Sequence, residues 1–133
     1  MKVIKEYSFY VPIAPTPASR PRVTRWGTFY LKKYEDFRTS CKHYLNSISK
    51  NYPVSNKMLS VHIEIVCLKP KKPSHLYPYR GDLDNFYKGV LDCITQAGMV
   101  WEDDAQVVEL NGIKRYQQVD EQSGFKVTVK ELE

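Results

Sequence analysis

The spacing of apolar and polar positions changes several times along the chain, and each change marks an element. Residues 2–11, KVIKEYSFYV, are rich in Val, Ile, Tyr and Phe and predict a first strand. Residues 12–21 hold four prolines and predict an extended loop. Residues 23–31, with Gly27 central, suit a hairpin that carries Trp26 at its tip. From residue 33 to residue 50 the period lengthens. Tyr34, Phe37, Cys41, Tyr44, Leu45 and Ile48 fall on one helical stripe, and Asn51-Tyr52-Pro53 ends it. Residues 58–68, MLSVHIEIVCL, show the best alternation in the chain. Residues 70–79 hold three prolines and two lysines and read as a loop. Residues 84–97 form the best helix, with Phe86, Tyr87, Val90, Leu91, Ile94 and Ala97 as its buried stripe and Gly98 as its stop. Residues 105–116 and 124–132 read as two strands, expected to pair with each other across the 117–123 turn. This order predicts one α+β domain over residues 1–133, a mixed sheet with two main helices on it.

Composition narrows the function classes. A chain of 133 residues can bury a core without disulfide or metal staples. No apolar run is long enough to cross a bilayer and the first residues lack a signal peptide's apolar core, so a cytoplasmic protein without a membrane partner is expected. Cys41, Cys67 and Cys93 are widely spaced with no C-x-x-C, which suits buried thiols in a reducing cytosol. The net charge is +5, and its distribution matters more than its size. Arg20, Arg22, Arg25, Lys32 and Lys33 cluster early, and Lys69, Lys71, Lys72 and Arg80 stand just before the one strongly acidic segment.

That segment, RGDLDNFYKGVLDCITQAGMVWEDD at 80–104, carries the chemistry. Asp82 and Asp84 are two apart at the mouth of the predicted helix, Asp84 is placed as its N-cap, and Lys88 follows one turn in. Glu102, Asp103 and Asp104 close the segment. Carboxylates gathered this tightly repel one another unless a cation lies between them, and oxygen donors suit a hard divalent ion. A plainer reading uses the same residues: Asp84 caps the helix, Asp82 is solvated, Asp84 and Lys88 form a surface pair, and Asp103-Asp104 only introduces a strand. Residue spacing alone leaves both open. Asp92, on nearly the same helical face, is expected to be solvated or to support the acidic group from behind. The loop APTPASRPRVTRWGTFY is either a solvated linker or a nucleic-acid surface. Its prolines hold arginines extended to fork onto phosphates, while Trp26, Phe29 and Tyr30 offer stacking faces.

With those residues assembled, the chain resembles the RusA family of Holliday-junction resolvases. The resemblance rests on DLDNFYK at 82–88, LDCITQAG at 91–98 and DDAQVVEL at 103–110, with RPRVTRWGTFY at 20–30 similar to an N-terminal motif of a branch found in prophages. It implies a homodimeric endonuclease that needs Mg²⁺, with Mn²⁺ as a substitute, and resolves four-way DNA junctions by paired symmetric nicks leaving 5′-phosphates. It also implies that Asp82, Asp84 and Asp104 hold the metal, with Asp103 as a fourth donor, and that Lys88 is essential. Arg20, Arg22, Arg25, Lys71, Lys72 and Arg80 are the expected DNA contacts. The alternatives are a branched-DNA binding protein without cleavage and a nuclease of the same fold acting on flaps or forks.

Overall fold

The structure, a computed structural model, describes residues 1–19 and 21–133; the side chain of Phe29 also lies outside the described residues. Six strands and two helices come in the order β1 (Val3–Val11), β2 (Arg22–Thr24), β3 (Gly27–Phe29), α1 (Lys32–Ile48), β4 (Met58–Cys67), α2 (Leu83–Ala97), β5 (Val107–Tyr116) and β6 (Gly124–Leu132). Short 3₁₀ turns at Ser49–Asn51 and Asp104–Gln106 extend α1 and precede β5. Strands β1, β6, β4 and β5 form one mixed sheet in that order, while β2 and β3 pair as a separate hairpin. The fold is α+β, as the pattern predicts.

Alternation decides which face of the sheet the helices cover. Val11, Phe125 and Ile65 lie across three neighbouring strands, as do Phe9, Val127 and Ile63, and Tyr7, Val129 and Val61. These rows, buried apart from the partly exposed Tyr7, meet Phe37, Cys41 and Leu45 of α1 and Phe86, Val90 and Ile94 of α2 in one core. Each fully buried aliphatic contributes roughly 1.5–3 kcal/mol. The opposite face is a polar ladder. Ser8 and Thr128 share a hydrogen bond of 2.9 Å, Ser60 donates to Glu109 at 2.6 Å, and His62 meets Asn111 at 2.5 Å.

The expected β5–β6 hairpin does not form. β6 pairs antiparallel with both β1 and β4, and β5 pairs parallel with β4 alone. Burial gives the reason. Phe125, Val127 and Val129 of β6 are fully enclosed and need a strand on each side, whereas β5 is largely exposed and suits an edge. The 117–123 segment therefore crosses the end of β4 and is fastened there. Gln117 N–H donates to the Cys67 carbonyl at 2.9 Å, Ser123 Oγ to the Val66 carbonyl at 2.7 Å, and Arg115 bridges Glu64 and Glu121.

Candidate active site

Gly81 makes the turn into α2 at φ +85°, where a Cβ would lie 2.9 Å from both Phe86 and Pro17. The N-cap after it is Asp82, and Asp84 lies inside the first turn, which corrects the expected assignment by two residues. The backbone accounts for the shift. Asp82 is extended at ψ 147°, and its carbonyl accepts from the Asn85 and Phe86 amides, both at 3.1 Å. Its side chain makes no capping hydrogen bond, so the carboxylate is uncommitted. Both aspartates are exposed at the positive end of the helix dipole. Lys88 is exposed one turn further on, and among the described residues it forms no ion pair with Asp84.

Sequence reasoning missed Lys114. Its Nζ donates to the Gly81 carbonyl at 2.8 Å and so ties the turn that presents Asp82 to strand β5. The available signal was a lysine at an inward register position, two residues after a strand glycine. Gly112 allows that approach: a Cβ there would sit 1.9 Å from the Ile63 carbonyl and 2.7 Å from the Tyr87 hydroxyl. The proline loop packs on the same helix end, where the Ala18 amide donates to the Asn85 carbonyl at 3.0 Å.

Asp103 and Asp104 stand beyond the other end of α2. Gly98 stops the helix in the left-handed region, and Val100 takes φ 67°, which is strained for a β-branched residue. Burial of Met99, Val100 and Trp101 holds the strain in place, as do the bonds from Val100 N–H to the Tyr52 carbonyl at 3.0 Å and from Ser55 N–H to the Val100 carbonyl at 2.9 Å. Gln106 fixes the 102–104 turn with four hydrogen bonds. Its Oε1 accepts from the Glu102 and Asp103 amides at 2.8 and 3.1 Å, and its Nε2 donates to the Ser55 and Lys57 carbonyls at 2.8 and 2.9 Å. Asp103 spends its carboxylate on capping, accepting from Ala105 N–H at 2.9 Å. Asp104 is left against Asp103. Partial burial, the hydrogen bond to Asp103 and the nearby charges of Asp103 and Asp92 all raise its pKa above the ordinary 3.8. Asp92 is half-buried, and its charge reaches Asp104.

The basic residues lie on exposed loops. Arg22 and Arg25 stand on the β2–β3 hairpin, where the Arg25 guanidinium lies 4.9 Å from the centre of the exposed Trp26 ring. Arg20, of the same loop, is outside the described residues. Lys71, Lys72 and Arg80 are exposed on the 68–82 connection, which also stacks His75 on Tyr79 with ring centroids 4.2 Å apart and presents a fully exposed Leu76.

The donor chemistry fits a hard divalent cation: every candidate is a carboxylate, and the mutual repulsion at Asp103–Asp104 is what such an ion relieves. The positions divide into two groups. Asp82, Asp84, Lys88 and Lys114 belong to the start of α2, and Asp92, Asp103 and Asp104 to its end. Nine residues of helix lie between Asp82 and Asp92, which are about 15 Å apart along the axis. Among the described residues no three His, Cys, Asp or Glu side chains come together closely enough to hold a metal. No described helix is long and apolar enough to cross a membrane, and all three cysteines are free.

No curated protein matches the chain. The sequence model of one family, described as endodeoxyribonuclease RusA, matches residues 12–130, a span that includes both acidic groups and every basic loop. A match over this much of the chain settles the family: the protein belongs to the RusA endodeoxyribonucleases.

Proposed function

We propose that the protein is a Mg²⁺-dependent, structure-specific endonuclease that resolves four-way DNA junctions as a homodimer, by paired symmetric hydrolysis, in recombination and repair. Mn²⁺ substitutes for Mg²⁺ in this reading. The observation that supports it most directly is Asp104, a carboxylate freed from capping by its neighbour and pressed against it. Asp82, Asp84 and Asp104 would hold the metal, while Asp103 fixes the backbone that presents Asp104. When bound, the ion polarises the scissile phosphate and lowers the pKa of a water molecule.

The chain's own residues supply the rest. Lys88, exposed near the first aspartates and in no ion pair among the described residues, stabilises charge that builds on the phosphate oxygens. Lys114 keeps the Gly81 turn in place, and with it Asp82. Water attacks phosphorus in line, the P–O3′ bond breaks, and the products are a 3′-hydroxyl and a 5′-phosphate. Arg22, Arg25, Lys71, Lys72 and Arg80 take neighbouring phosphates, and Trp26 and Tyr79 offer faces on which unstacked bases can rest. Asp82→Asn, Asp84→Asn or Asp104→Asn should abolish cleavage and leave junction affinity equal or higher, because each removes negative charge.

The deciding experiment compares nicking of four-way, three-way, flap and linear DNA side by side, with Mg²⁺ and with EDTA. Paired nicks confined to the four-way substrate support resolution. Preferred cutting of flaps or forks would replace it with the alternative nuclease reading, and metal-independent binding without nicks would reduce the protein to a junction binder.

A further inference from the structure

We infer that Leu76 is a wedge: the tip of the 68–82 connection enters the branch point of bound DNA and holds one base step open beside the nick. The inference rests on the reading of the protein as a nuclease for branched DNA and adds which side chain opens the branch. The connection is built as a stiff projection. At its start the Lys69 amide donates to Gln117 Oε1 at 3.0 Å, and at its end the Gly81 carbonyl accepts from Lys114 Nζ at 2.8 Å. Pro70, Pro73 and Pro78 restrict the backbone between these clamps, and Pro78 is buried. His75 lies flat on Tyr79, with ring centroids 4.2 Å apart and 6° between the planes, and its Nδ1 shares a hydrogen bond of 2.8 Å with Ser74 Oγ. The stack pinches residues 75 and 79 together and leaves Leu76 and Tyr77 in the turn between them. Leu76 is fully exposed there, and Leu68, Tyr77 and Tyr79 are exposed in the same connection. Apolar side chains gathered in water at one place mark a binding surface.

Charge selects the occupant. From Leu68 to Gly81 the chain carries Lys69, Lys71, Lys72 and Arg80 and no acidic residue, so the apolar tip stands among cations. A nucleic acid answers both features, with phosphates outside and base faces within. Apolar side chains, leucine among them, enter base steps in this way and prise them apart. The cost is unstacking, which is greatest in continuous duplex and least where stacking is already broken. A branch point is such a place, so the wedge favours branched over linear DNA. Position agrees: Leu76 stands six residues before Asp82, at most about 20 Å of chain, or roughly six base pairs of duplex. Val119 supplies the contrast. It is nearly as exposed and stands across an open groove that Leu76 also lines, but its neighbour Asp120 repels phosphate there.

Fluorescence of 2-aminopurine, which rises when the base unstacks, tests this in EDTA, where no strand is cut. The probe is placed singly at each position flanking the branch of a four-way junction, and at the centre of a linear duplex. Wild type should brighten a branch position and leave the duplex unchanged. Leu76→Ser should abolish the rise and weaken junction binding by about 10- to 100-fold, as withdrawing one leucine from an apolar contact does. Its slope of log K against log salt should stay that of wild type, because no phosphate contact is removed. Leu76→Met should restore the rise, and Val119→Ser should match wild type. Leu76 is fully exposed, so the Tm of each variant should also match. A wild type that leaves every branch probe dark overturns the inference, as does an equal loss in Val119→Ser. A rise and affinity that persist in Leu76→Ser overturn it too and leave the tip to a protein partner. A changed sedimentation mass in Leu76→Ser overturns it by making the tip a contact between copies. If the wild type nicks no substrate, the proposed reaction falls while this experiment, which needs no cleavage, still decides the wedge.

Discussion

Replacing Asp104 with Asn in the metal-free protein should make the fold more stable while cleavage is lost. Asp104 follows Asp103 directly, close enough for that charge to raise its pKa. Two unit charges about 4 Å apart in water repel by ~1 kcal/mol. Asp104 is exposed, so the value in water governs and salt lowers it further. A gain of about 0.5–1 kcal/mol remains, or roughly 2–4 °C in Tm for a chain of this size. Asp103 gives the contrast. Its carboxylate accepts from Ala105 N–H, a role that Asn can fill and Ala cannot. Asp103→Asn removes the same repulsion and keeps the cap, so it should gain about as much as Asp104→Asn, while Asp103→Ala loses about 1 kcal/mol of cap against that gain and should come out close to neutral.

The direction of the shift sets the sign with pH. A carboxyl whose folded pKa is raised favours the fold while protonated, and loses that advantage as pH rises through its folded pKa. The gain in Asp104→Asn should therefore be present at pH 7 and vanish below 3.8, the ordinary value. Thermal melts of wild type, Asp104→Asn, Asp103→Asn and Asp103→Ala at pH 3 and pH 7, in EDTA and then in Mg²⁺, test the set. Added Mg²⁺ should raise the wild-type Tm and leave that of Asp104→Asn almost unmoved. A lower Tm for Asp104→Asn at pH 7, or a gain that persists at pH 3, would refute the reasoning.

Lys114→Met should speed amide exchange at Asn85 and Phe86, whose N–H groups rest on the Asp82 carbonyl, and cost about 1–2 kcal/mol; unchanged exchange would mean that Lys114 does not hold the turn. Arg115 holds the Glu121 carboxyl down to about 2 from 4.5, so the stability from this pair is complete above pH 4.5 and lost as pH falls toward 2. Wild type and Glu121→Gln should thus converge in Tm at low pH, and a constant difference would show that the pair contributes through packing alone. Arg22→Ala with Arg25→Ala should flatten the slope of log K against log salt by about two units, and an unchanged slope would return that loop to a solvated linker.

Periodicity reveals both helices because their stripes are long: Tyr34, Phe37, Cys41 and Leu45 on α1, and Phe86, Val90 and Ile94 on α2, are all buried. It cannot reveal strand partners, because alternation reports which face is buried and not which neighbour accepts the hydrogen bonds. Hence β5 and β6, adjacent in sequence, read as a hairpin although β4 lies beside both. The acidic residues are visible as residue types, and the capping shift from Asp84 to Asp82 lies within the usual spread of a helix end. The work of Gln106 and Lys114 is not visible, since both act on backbone carbonyls, which sequence does not distinguish. Nor does closeness in sequence measure the separation of the two acidic groups. Twenty-one residues lie between Asp82 and Asp104, but fifteen of them are helix and carry the chain the length of the sheet.

The return turn after α2 shows stability given up at one place and recovered beside it. Val100 in the left-handed region costs on the order of 1–2 kcal/mol, and the facing carboxylates of Asp103 and Asp104 add to that. Neither feature helps α2 to pack. Both set the direction in which Asp104 leaves the sheet, and the compensating groups allow that direction no slack: Met99, Val100 and Trp101 are buried, and Gln106 binds four backbone groups across two segments. A carboxylate held this firmly meets an incoming cation without further ordering cost.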